Sequence, residues 1–240
     1  MTLHAARAVL QSFDAEVIVV DDASTDGTAE RFAREEPRVR IIRRETNGGF
    51  ARAANDGVRA ATGDLILLLN SDAIVAPDTL STLARAFHDD PLLGVASAQL
   101  FDEDGTPQWT GGQTPTLPWM IGAVSGKGHW LRALRRRRAT THREPDWVSG
   151  AAMMFRREVW EPLEERYRFY CQDIDFCLRA RARGWRIAVV PEAHVTHARG
   201  ATAGRDRRVL RDDLLEFGRV HYGRAWWWFA RVVLSLIPVR

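Results

Sequence analysis

Two predicted strands end in carboxylate-bearing residues, and these ends are where the sequence first suggests chemistry. The stretch VIVVDDASTDGT runs from four apolar residues into Asp21 and Asp22, and LILLLNSDA runs into Asn70, Ser71 and Asp72. Ligands of open α/β sheets bind beyond the carboxyl ends of the strands, so we expect these side chains at one crevice. Carboxylates there can accept hydrogen bonds from a base or ribose, or hold a divalent cation beside a diphosphate.

Ordinary turn and capping roles compete with ligand binding at these places. Asp22 and Ser24 can form an Asx turn that caps the following helix. Between the two strands, TNGGFARAANDG places Asn47, Gly48 and Gly49 before a helix of small residues, where glycines let backbone amides approach an anion. An isolated Asn-Gly-Gly is nevertheless more often a plain turn. The residues alone leave both interpretations open.

Two later segments add a candidate base and candidate metal ligands. FYCQDIDFCLRARARGW opens a helix with Asp173 and Asp175, where the helix dipole favours carboxylates and both can be caps. Asp173 becomes a candidate general base if it faces the crevice. PEAHVTHARG follows the last predicted strand and offers His194 and His197. Either histidine can be a metal ligand, and both can be ordinary loop residues.

Apolar spacing predicts the elements that carry these side chains. The predicted strands are 16–20, 39–43, 65–69, 95–101, 147–155 and 186–190. The predicted helices are 3–13, 28–34, 49–61, 77–87 and 173–183. Residues 102–118 are expected to form a connection rich in Gly and Pro. Strand and helix alternate, which is typical of an α/β fold with a parallel or mixed sheet.

Composition excludes several classes of protein. The chain has 240 residues, 45% hydrophobic and 27% charged, which fits one substantial core. Its formal net charge is only +3, so no nucleic-acid partner is expected. Cys171 and Cys177 offer neither a disulfide framework nor a common metal-ligand spacing, which favours a reducing compartment. The first residues carry no signal-peptide pattern, so we expect a cytoplasmic location.

Taken in order, the motifs resemble a family 2 glycosyltransferase of the GT-A type, close to its rhamnosyltransferase-like branch. The resemblance spans residues 17–200 and is carried by VIVVDDASTDGT, NGGFARAANDGVRAATGD, LLLNSDAIVAPDTL, WVSGAAMMFRREVWE, QDIDFCLRARARGW and VPEAHVTHARG. Each motif is weak alone, but the ordered set is specific. The resemblance implies a GT-A-like (Rossmann-like) mixed sheet flanked by helices in residues 1–204 and a C-terminal helical tail in residues 205–240.

The resemblance also implies residues that bind a nucleotide diphosphate-sugar donor. Asp22 would hydrogen-bond the nucleotide base, with Asn47 and Gly49 near the nucleotide. Asn70 and Asp72 stand where the family has its Asp-x-Asp metal motif, here in the Asn-x-Asp form. Asp72 would be the main ligand of a divalent metal, Mg²⁺ or Mn²⁺.

Further roles follow from the same resemblance. His197 matches a late histidine that completes the metal and diphosphate site, and Asp173 matches the catalytic base. The implied reaction is transfer of the sugar, with inversion, to a hydroxyl of a glycan or glycolipid acceptor. A place in cell-surface polysaccharide or glycolipid synthesis would follow.

The chain departs from the family at three places, which supports a second hypothesis. The family has one more strand ahead of the first helix, so we expect that this sequence is a fragment, that its start is misassigned or that part of the nucleotide pocket is lost. In addition, Gln172 stands in place of an acidic residue, and EPLEERYRF stands in place of a Gly-Gly-Phe-Asp stretch. A catalytically impaired or non-catalytic scaffold that binds an acceptor is therefore the alternative. A phosphotransferase and a nucleotidyltransferase rank below both, because the spacing of the aspartates and the lack of a suitable Gly-rich loop do not fit them.

Two segments suggest contact with a membrane surface. HWLRALRRRR combines Trp130, Leu131 and Leu134 with Arg135–Arg138, and AWWWFARVVLSLI clusters Trp226–Trp228. The thirteen residues of the second segment are too few to span a bilayer. A Trp-rich helix and a basic run fit peripheral contact with anionic lipid at the inner face of the cell membrane. The alternative is a helix packed on the core and a solvated Arg loop.

Overall fold

Runs of branched and leucine side chains form strands in this protein, and segments with helical apolar spacing form its helices. The computed structural model describes residues 1–125, 144–198 and 207–236. The strands are β1 Ile18–Asp21, β2 Arg40–Arg43, β3 Leu65–Leu69, β4 Ala73–Val75, β5 Leu93–Phe101, β6 Gly111–Gly112, β7 Trp147–Val148, β8 Ala152–Arg156 and β9 Arg186–His197. The helices are α1 Thr2–Ser12, α2 Thr28–Glu35, α3 Phe50–Ala60, α4 Thr79–Asp89, α5 Leu117–Ser125, α6 Gln172–Ala182, α7 Arg207–Tyr222 and α8 Arg224–Ser235.

Five strands form the main sheet in the order β3-β8-β5-β9-β4. β5 is parallel to β9, whereas the other neighbours are antiparallel, so the predicted mixed α/β sheet is confirmed. β5 is buried at every position from Leu93 to Leu100, because its small Gly, Ala and Ser residues let layers pack on both faces. Asn70–Asp72 links β3 to β4, the first and last strands of this order.

The parallel pair β1 and β2 forms a sheet of its own. A cavity of about 1770 Å³ lies between β1 and β3 and is lined by Val17–Val20 and Leu65–Leu69. Glu16 joins the starts of the two strands, since its Oε2 atom accepts hydrogen bonds from the Thr62 amide (2.8 Å) and hydroxyl (2.9 Å). Among the described residues, β1 pairs only with β2, and β3 pairs only with β8. No strand in the part of the chain that the structure describes lies between β1 and β3.

The C-terminal helices pack into the core of the α/β fold. Leu214 and Phe217 of α7 belong to the same buried cluster as Phe155 of β8. Gly218 lets α8 approach α7 closely, because a Cβ atom at this position would collide with the Trp226 ring. The boundary predicted near residue 204 lies outside the described residues, so the division into 1–204 and 205–240 stays a prediction.

Three predicted elements differ from those observed by more than two residues. β9 continues past Val190 to His197, because its second half pairs with β4. The strand predicted over 147–155 is two strands, β7 and β8, since a turn at Ser149–Ala151 separates them. The predicted connection over 102–118 contains β6, and α5 begins inside it because the apolar segment Leu117–Ser125 buries Met120 and Val124.

Candidate active site

The residues that follow β3 meet the end of β9 beside the main sheet. Ala73 pairs with His197, and the Ala198 amide donates to the carbonyl oxygen of Asp72 (3.0 Å). This pairing places the His197 Nε2 atom 3.3 Å from Oδ1 of Asp72 and 3.4 Å from Nδ2 of Asn70. The structure therefore brings together Asn70, Asp72 and His197, although they are far apart in the sequence.

Gln108 fixes the orientation and the tautomer of the His197 ring. Its Nε2 atom donates to the carbonyl oxygens of His197 (2.6 Å) and Phe101 (3.3 Å) and to Oδ1 of Asp102 (2.8 Å). The amide oxygen of Gln108 must then be the atom that faces Nδ1 of His197, at 3.0 Å. An oxygen acceptor there assigns the proton to Nδ1, which leaves the Nε2 lone pair directed at Asp72.

A cation fits between Asp72 and His197. In this tautomer the carboxylate and the imidazole both present electron pairs, and Oδ2 of Asp72 is buried without a hydrogen-bond partner. Buried polar atoms are costly when unpaired, and a cation would satisfy both groups. No group of three or more His, Cys, Asp or Glu side chains in the described ranges could hold a metal, so further ligands would come from phosphate or water.

Asp173 lines the same cavity from the start of α6. Its Oδ2 atom accepts a hydrogen bond from the Gly150 amide (3.0 Å), and its Oδ1 atom accepts one from the Ile174 amide (2.9 Å). Burial raises the pKa of Asp173 above its ordinary value of 3.8, and the backbone hydrogen bonds only partly oppose this effect. A carboxylate with a raised pKa at a cavity wall is suited to accept a proton.

Asp175 belongs to a separate network. Its Oδ1 atom lies 2.9 Å from Nε2 of His221, and its Oδ2 atom accepts a hydrogen bond from Nε of Arg179 at 2.8 Å. Burial acts to raise the pKa of Asp175, but the His221 hydrogen bond and the Arg179 charge outweigh it and hold this pKa below its usual value. Two carboxylates only two residues apart therefore have opposite environments.

One cavity gathers four of the predicted site residues and a set of aromatic side chains. The predicted residues that line it are Asn70, Asp72, Asp173 and His197. The aromatic side chains that line it are Phe13, Phe50, Trp109, Trp119, Trp147, Phe169 and Tyr170. Its volume of about 1770 Å³ exceeds the range of roughly 300–1,000 Å³ that is common for ligand pockets. This volume includes the space between β1 and β3, so the part beside the candidate site residues is smaller.

Asp22 fastens the Asn-Gly-Gly loop. Its two oxygens accept hydrogen bonds from the amides of Gly48 (2.9 Å) and Gly49 (2.7 Å), and Nε of Arg44 lies 2.9 Å from Oδ1. Gly49 has a φ of +82°, which a residue with a side chain rarely adopts. Asn47 is exposed on this loop. None of Asp22, Asn47 and Gly49 lines the cavity, so their contacts with a nucleotide stay predictions.

Several residues that hold the site together were not predicted from the sequence. Gln108 reaches a histidine 89 positions away, and His221 reaches a carboxylate 46 positions away. Gln108 lies in a segment without a periodic pattern, and a lone His near a helix end is common. Spacing along the chain carries no signal for such contacts.

The chain belongs to the glycosyl transferase family 2. The sequence model of that family matches residues 2–164, which is more than half of the chain. The matched range contains Asn70 and Asp72, whereas Asp173 and His197 lie beyond it. The predicted family is confirmed.

Relatives and solved structures agree with this assignment. The N-acetylglucosaminyl-diphospho-decaprenol L-rhamnosyltransferase of Mycobacterium tuberculosis is 27% identical over 79% of this chain and 68% of its own length. A mannosyltransferase from Pyrobaculum calidifontis, solved with GDP-Man and Mn²⁺, has a TM-score of 0.62 at 21% identity. GalNAc-T7, solved with UDP, GalNAc and Mn²⁺, has a TM-score of 0.55 at 16% identity. At these identities the two structures support the fold alone.

The two solved structures differ in how much of each chain the comparison covers. The mannosyltransferase comparison covers 98% of this chain and 65% of that chain, and the GalNAc-T7 comparison covers 77% and 38%. The chain thus spans less than two thirds of either solved protein.

Proposed function

We propose that this chain transfers a sugar from a nucleoside diphosphate donor to an acceptor hydroxyl with inversion of configuration. The observation that carries the proposal is that Asp173 and the Asp72–His197 pair line one cavity. A base and an electrophilic site in one crevice are the two parts that single displacement requires. Family membership supports the reaction class.

Asp173 is the residue we assign as the general base. Its side chain lies at the cavity wall with a raised pKa, held by the Gly150 and Ile174 amides. It would take the proton of the acceptor hydroxyl as that oxygen attacks the anomeric carbon of the sugar. General base catalysis of this kind contributes roughly 10²–10⁴-fold to the rate.

Asp72 and His197 are the residues we assign to a divalent metal, with Asn70 beside them. A bound Mg²⁺ or Mn²⁺ would supply Lewis-acid stabilisation of the leaving diphosphate. Oδ2 of Asp72 and Nε2 of His197 are the two protein atoms that would hold it. Asp22 would contact the nucleotide base, and Asn47 and Gly49 would lie near the nucleotide, as the family resemblance implies.

The acceptor we propose is a lipid-linked or surface glycan. The Mycobacterium tuberculosis relative is named for an N-acetylglucosaminyl-diphospho-decaprenol substrate, which is a sugar on a lipid diphosphate. The aromatic side chains in the cavity wall suit the apolar face of a sugar ring. The proposal extends to polysaccharide or glycolipid synthesis.

Helix α8 supports a membrane-facing role. Trp226, Ala230 and Leu234 face the core, whereas Trp228, Phe229 and Val232 are 58%, 60% and 58% exposed on the other side. The sequence left two alternatives for this helix, contact with a membrane and packing on the core. In the structure one face of α8 packs on the core, and the other face is exposed. Exposed apolar residues beside arginines fit the surface of an anionic membrane.

No described helix meets the length and hydropathy needed to cross a bilayer. The basic run Arg135–Arg138 lies outside the described residues. Contact would therefore be made through the face of α8, with Arg224 and Arg231 near the lipid head groups. The guanidinium of Arg231 lies 5.1 Å from the centre of the Trp227 ring, which keeps the charge beside the aromatic side chains.

Metal-dependent donor binding is the experiment that tests the proposed function. Titration calorimetry would use Mn²⁺ with a panel of nucleoside diphosphate sugars that includes UDP-sugars and GDP-mannose. Asp72→Asn should weaken donor binding by more than the roughly 10- to 100-fold typical of losing an outer-shell partner of a metal. Asp78→Asn is the matched control, because Asp78 is exposed and its side chain caps nothing.

Two results would count against the proposal. Equal donor affinity in Asp72→Asn and the parent chain would remove Asp72 from the metal site. A parent chain that binds no donor of the panel in the presence of Mn²⁺ would favour the scaffold alternative.

A further inference from the structure

The segment 167–171 has no regular secondary structure and leads into α6, the helix that carries Asp173. Its last residue, Cys171, has a φ of +72°, a left-handed conformation that is unfavourable for a residue with a Cβ atom. Phe169 and Tyr170 of this segment line the cavity, and Asp173 follows two residues after Cys171. Irregular backbone near a core needs partners for its N–H groups. Something must therefore hold this segment in place.

Asp213 supplies these partners from helix α7. Its Oδ1 atom accepts a hydrogen bond from the Arg168 amide (2.9 Å), and its Oδ2 atom accepts hydrogen bonds from the amides of Phe169 (2.9 Å) and Tyr170 (2.7 Å). Asp213 is only 2% exposed. Three consecutive amides on one buried carboxylate form charge-assisted hydrogen bonds, which are stronger than neutral ones.

Asp213 is itself held rigidly. The neighbouring residues Leu214 and Phe217 are fully buried in the core cluster. On the same helix, His221 reaches Asp175, which lies two residues after the base. Helix α7 thus contacts the chain on both sides of Asp173, through Asp213 before it and through His221 after it. The hydrogen bonds of the Asp173 carboxylate go instead to the Gly150 and Ile174 amides.

We propose that Asp213 is a positioning residue for the base. By fixing the amides of 168–170, it holds the aromatic pair Phe169–Tyr170 and the start of α6, and with them the carboxylate of Asp173. This inference rests on the proposed function of Asp173. The C-terminal helix would then be a working part of the active site, and the site would be incomplete in a chain that ends before α7.

The test compares Asp213→Asn with Asp212→Asn. The asparagine keeps the size of the side chain but replaces one oxygen by a donor, so the Phe169 and Tyr170 amides or the Arg168 amide lose their acceptor. Asp212 is the adjacent residue on α7, is exposed and contacts no amide of the segment. Initial rates of Mn²⁺-dependent hydrolysis or transfer would be measured with UDP-sugars and GDP-mannose.

Asp213→Asn should lower kcat by about 10- to 100-fold, the size expected when a reacting group is misplaced by about 1 Å. The KM for the donor should stay within about twofold, because the metal and nucleotide residues are not attached to this segment. Partial unfolding would also lower the apparent kcat at unchanged KM, so kcat is expressed per folded molecule, with the folded fraction of each variant taken from its melting curve. Asp212→Asn should match the parent chain. An unchanged kcat in Asp213→Asn would overturn the inference.

Hydrogen exchange on the unaltered protein tests the contact without any variant. The amides of Arg168, Phe169 and Tyr170 should exchange as slowly as the core amides of α7, because they can open only when α7 moves. Fast exchange of these three amides beside a protected α7 would overturn the inference even if Asp213→Asn failed to fold. If the parent chain binds and turns over no donor, the proposed function fails, whereas the exchange result still decides whether Asp213 holds the segment.

Discussion

Oε1 of Gln108 lies 3.0 Å from Nδ1 of His197, so a glutamine ahead of β6 determines which nitrogen of a histidine at the end of β9 carries the proton. The same glutamine donates to the backbone carbonyl of that histidine. Ring orientation and backbone position are therefore set together. Partners of this kind around metal ligands usually affect affinity as well as geometry.

Replacing Gln108 by Leu should weaken Mn²⁺-dependent donor binding by about 10- to 100-fold. Leucine fills a similar volume but offers no acceptor to Nδ1, so the ring is free to adopt the other tautomer and turn a proton toward Asp72. Titration calorimetry at a fixed Mn²⁺ concentration measures the effect. Gln113→Leu serves as the control because Gln113 is exposed. Equal losses in both variants would show that the effect is not specific to His197.

Replacing Asp173 by Asn should lower turnover by roughly 10²–10⁴-fold while donor affinity stays within about twofold. The amide keeps the shape of the side chain and removes the proton acceptor. Steady-state hydrolysis of the donor, or transfer once an acceptor is known, gives the rate. Near-full transfer by this variant would exclude Asp173 as the base.

Replacing Asp175 by Asn should instead act mainly on stability. The carboxylate accepts a hydrogen bond from Arg179 and contacts His221 while it is almost fully buried, so losing one charged hydrogen bond should cost about 1–3 kcal/mol. Chemical denaturation measures this loss. At a temperature where Asp175→Asn and Asp173→Asn are both folded, the turnover of Asp175→Asn should be the higher of the two. The reverse order would exchange the roles of the two carboxylates.

As the pH falls, we expect the rate to decrease before the protein unfolds. Asp173 has a pKa raised above 3.8, so it accepts no proton once the pH falls through that raised value. Asp175 has a pKa lowered below 3.8, so its contribution to stability is present above the unfolded value and is lost only as the pH falls through the folded one. Rates and melting curves recorded in the same buffers should show an interval above pH 3.8 in which the protein is folded but slow. Simultaneous loss of rate and fold would contradict this expectation.

Replacing Trp228 and Phe229 together by Ser should reduce sedimentation with vesicles that contain an anionic lipid. Both side chains are exposed, so the change removes apolar area from the surface without opening the core. Binding of the parent chain should weaken as salt is added, because arginines contribute to it. Trp226→Ala is the informative comparison, since this ring packs on α7 and its loss should lower the melting temperature instead. If the parent chain stays in the supernatant with these vesicles at low salt, the membrane role is excluded.

The sequence predicted the parts of the site that depend on local pattern. The apolar run that leads to Asp72 is visible without any structure, and so is the position of Asp173 at the start of a helix. Both residues line the cavity. The last predicted strand ends at Val190, ahead of His197, because the apolar run stops there, whereas the observed strand continues through a register shift. Gln108 and Asp213 were missed for a physical reason, because their partners are 89 and 43–45 residues away.

The break between β1 and β3 has a consequence for how the protein behaves in solution. Within the described ranges, β1 and β3 are each paired on one side only, so each presents backbone donors and acceptors toward the cavity, where the lining side chains of both strands are apolar. Such rows are templates on which another extended chain can add. Concentrated samples should therefore associate strand to strand, and light scattering should rise with concentration. A short apolar peptide that fills the gap should suppress this association and raise the melting temperature, as any ligand of the native state does.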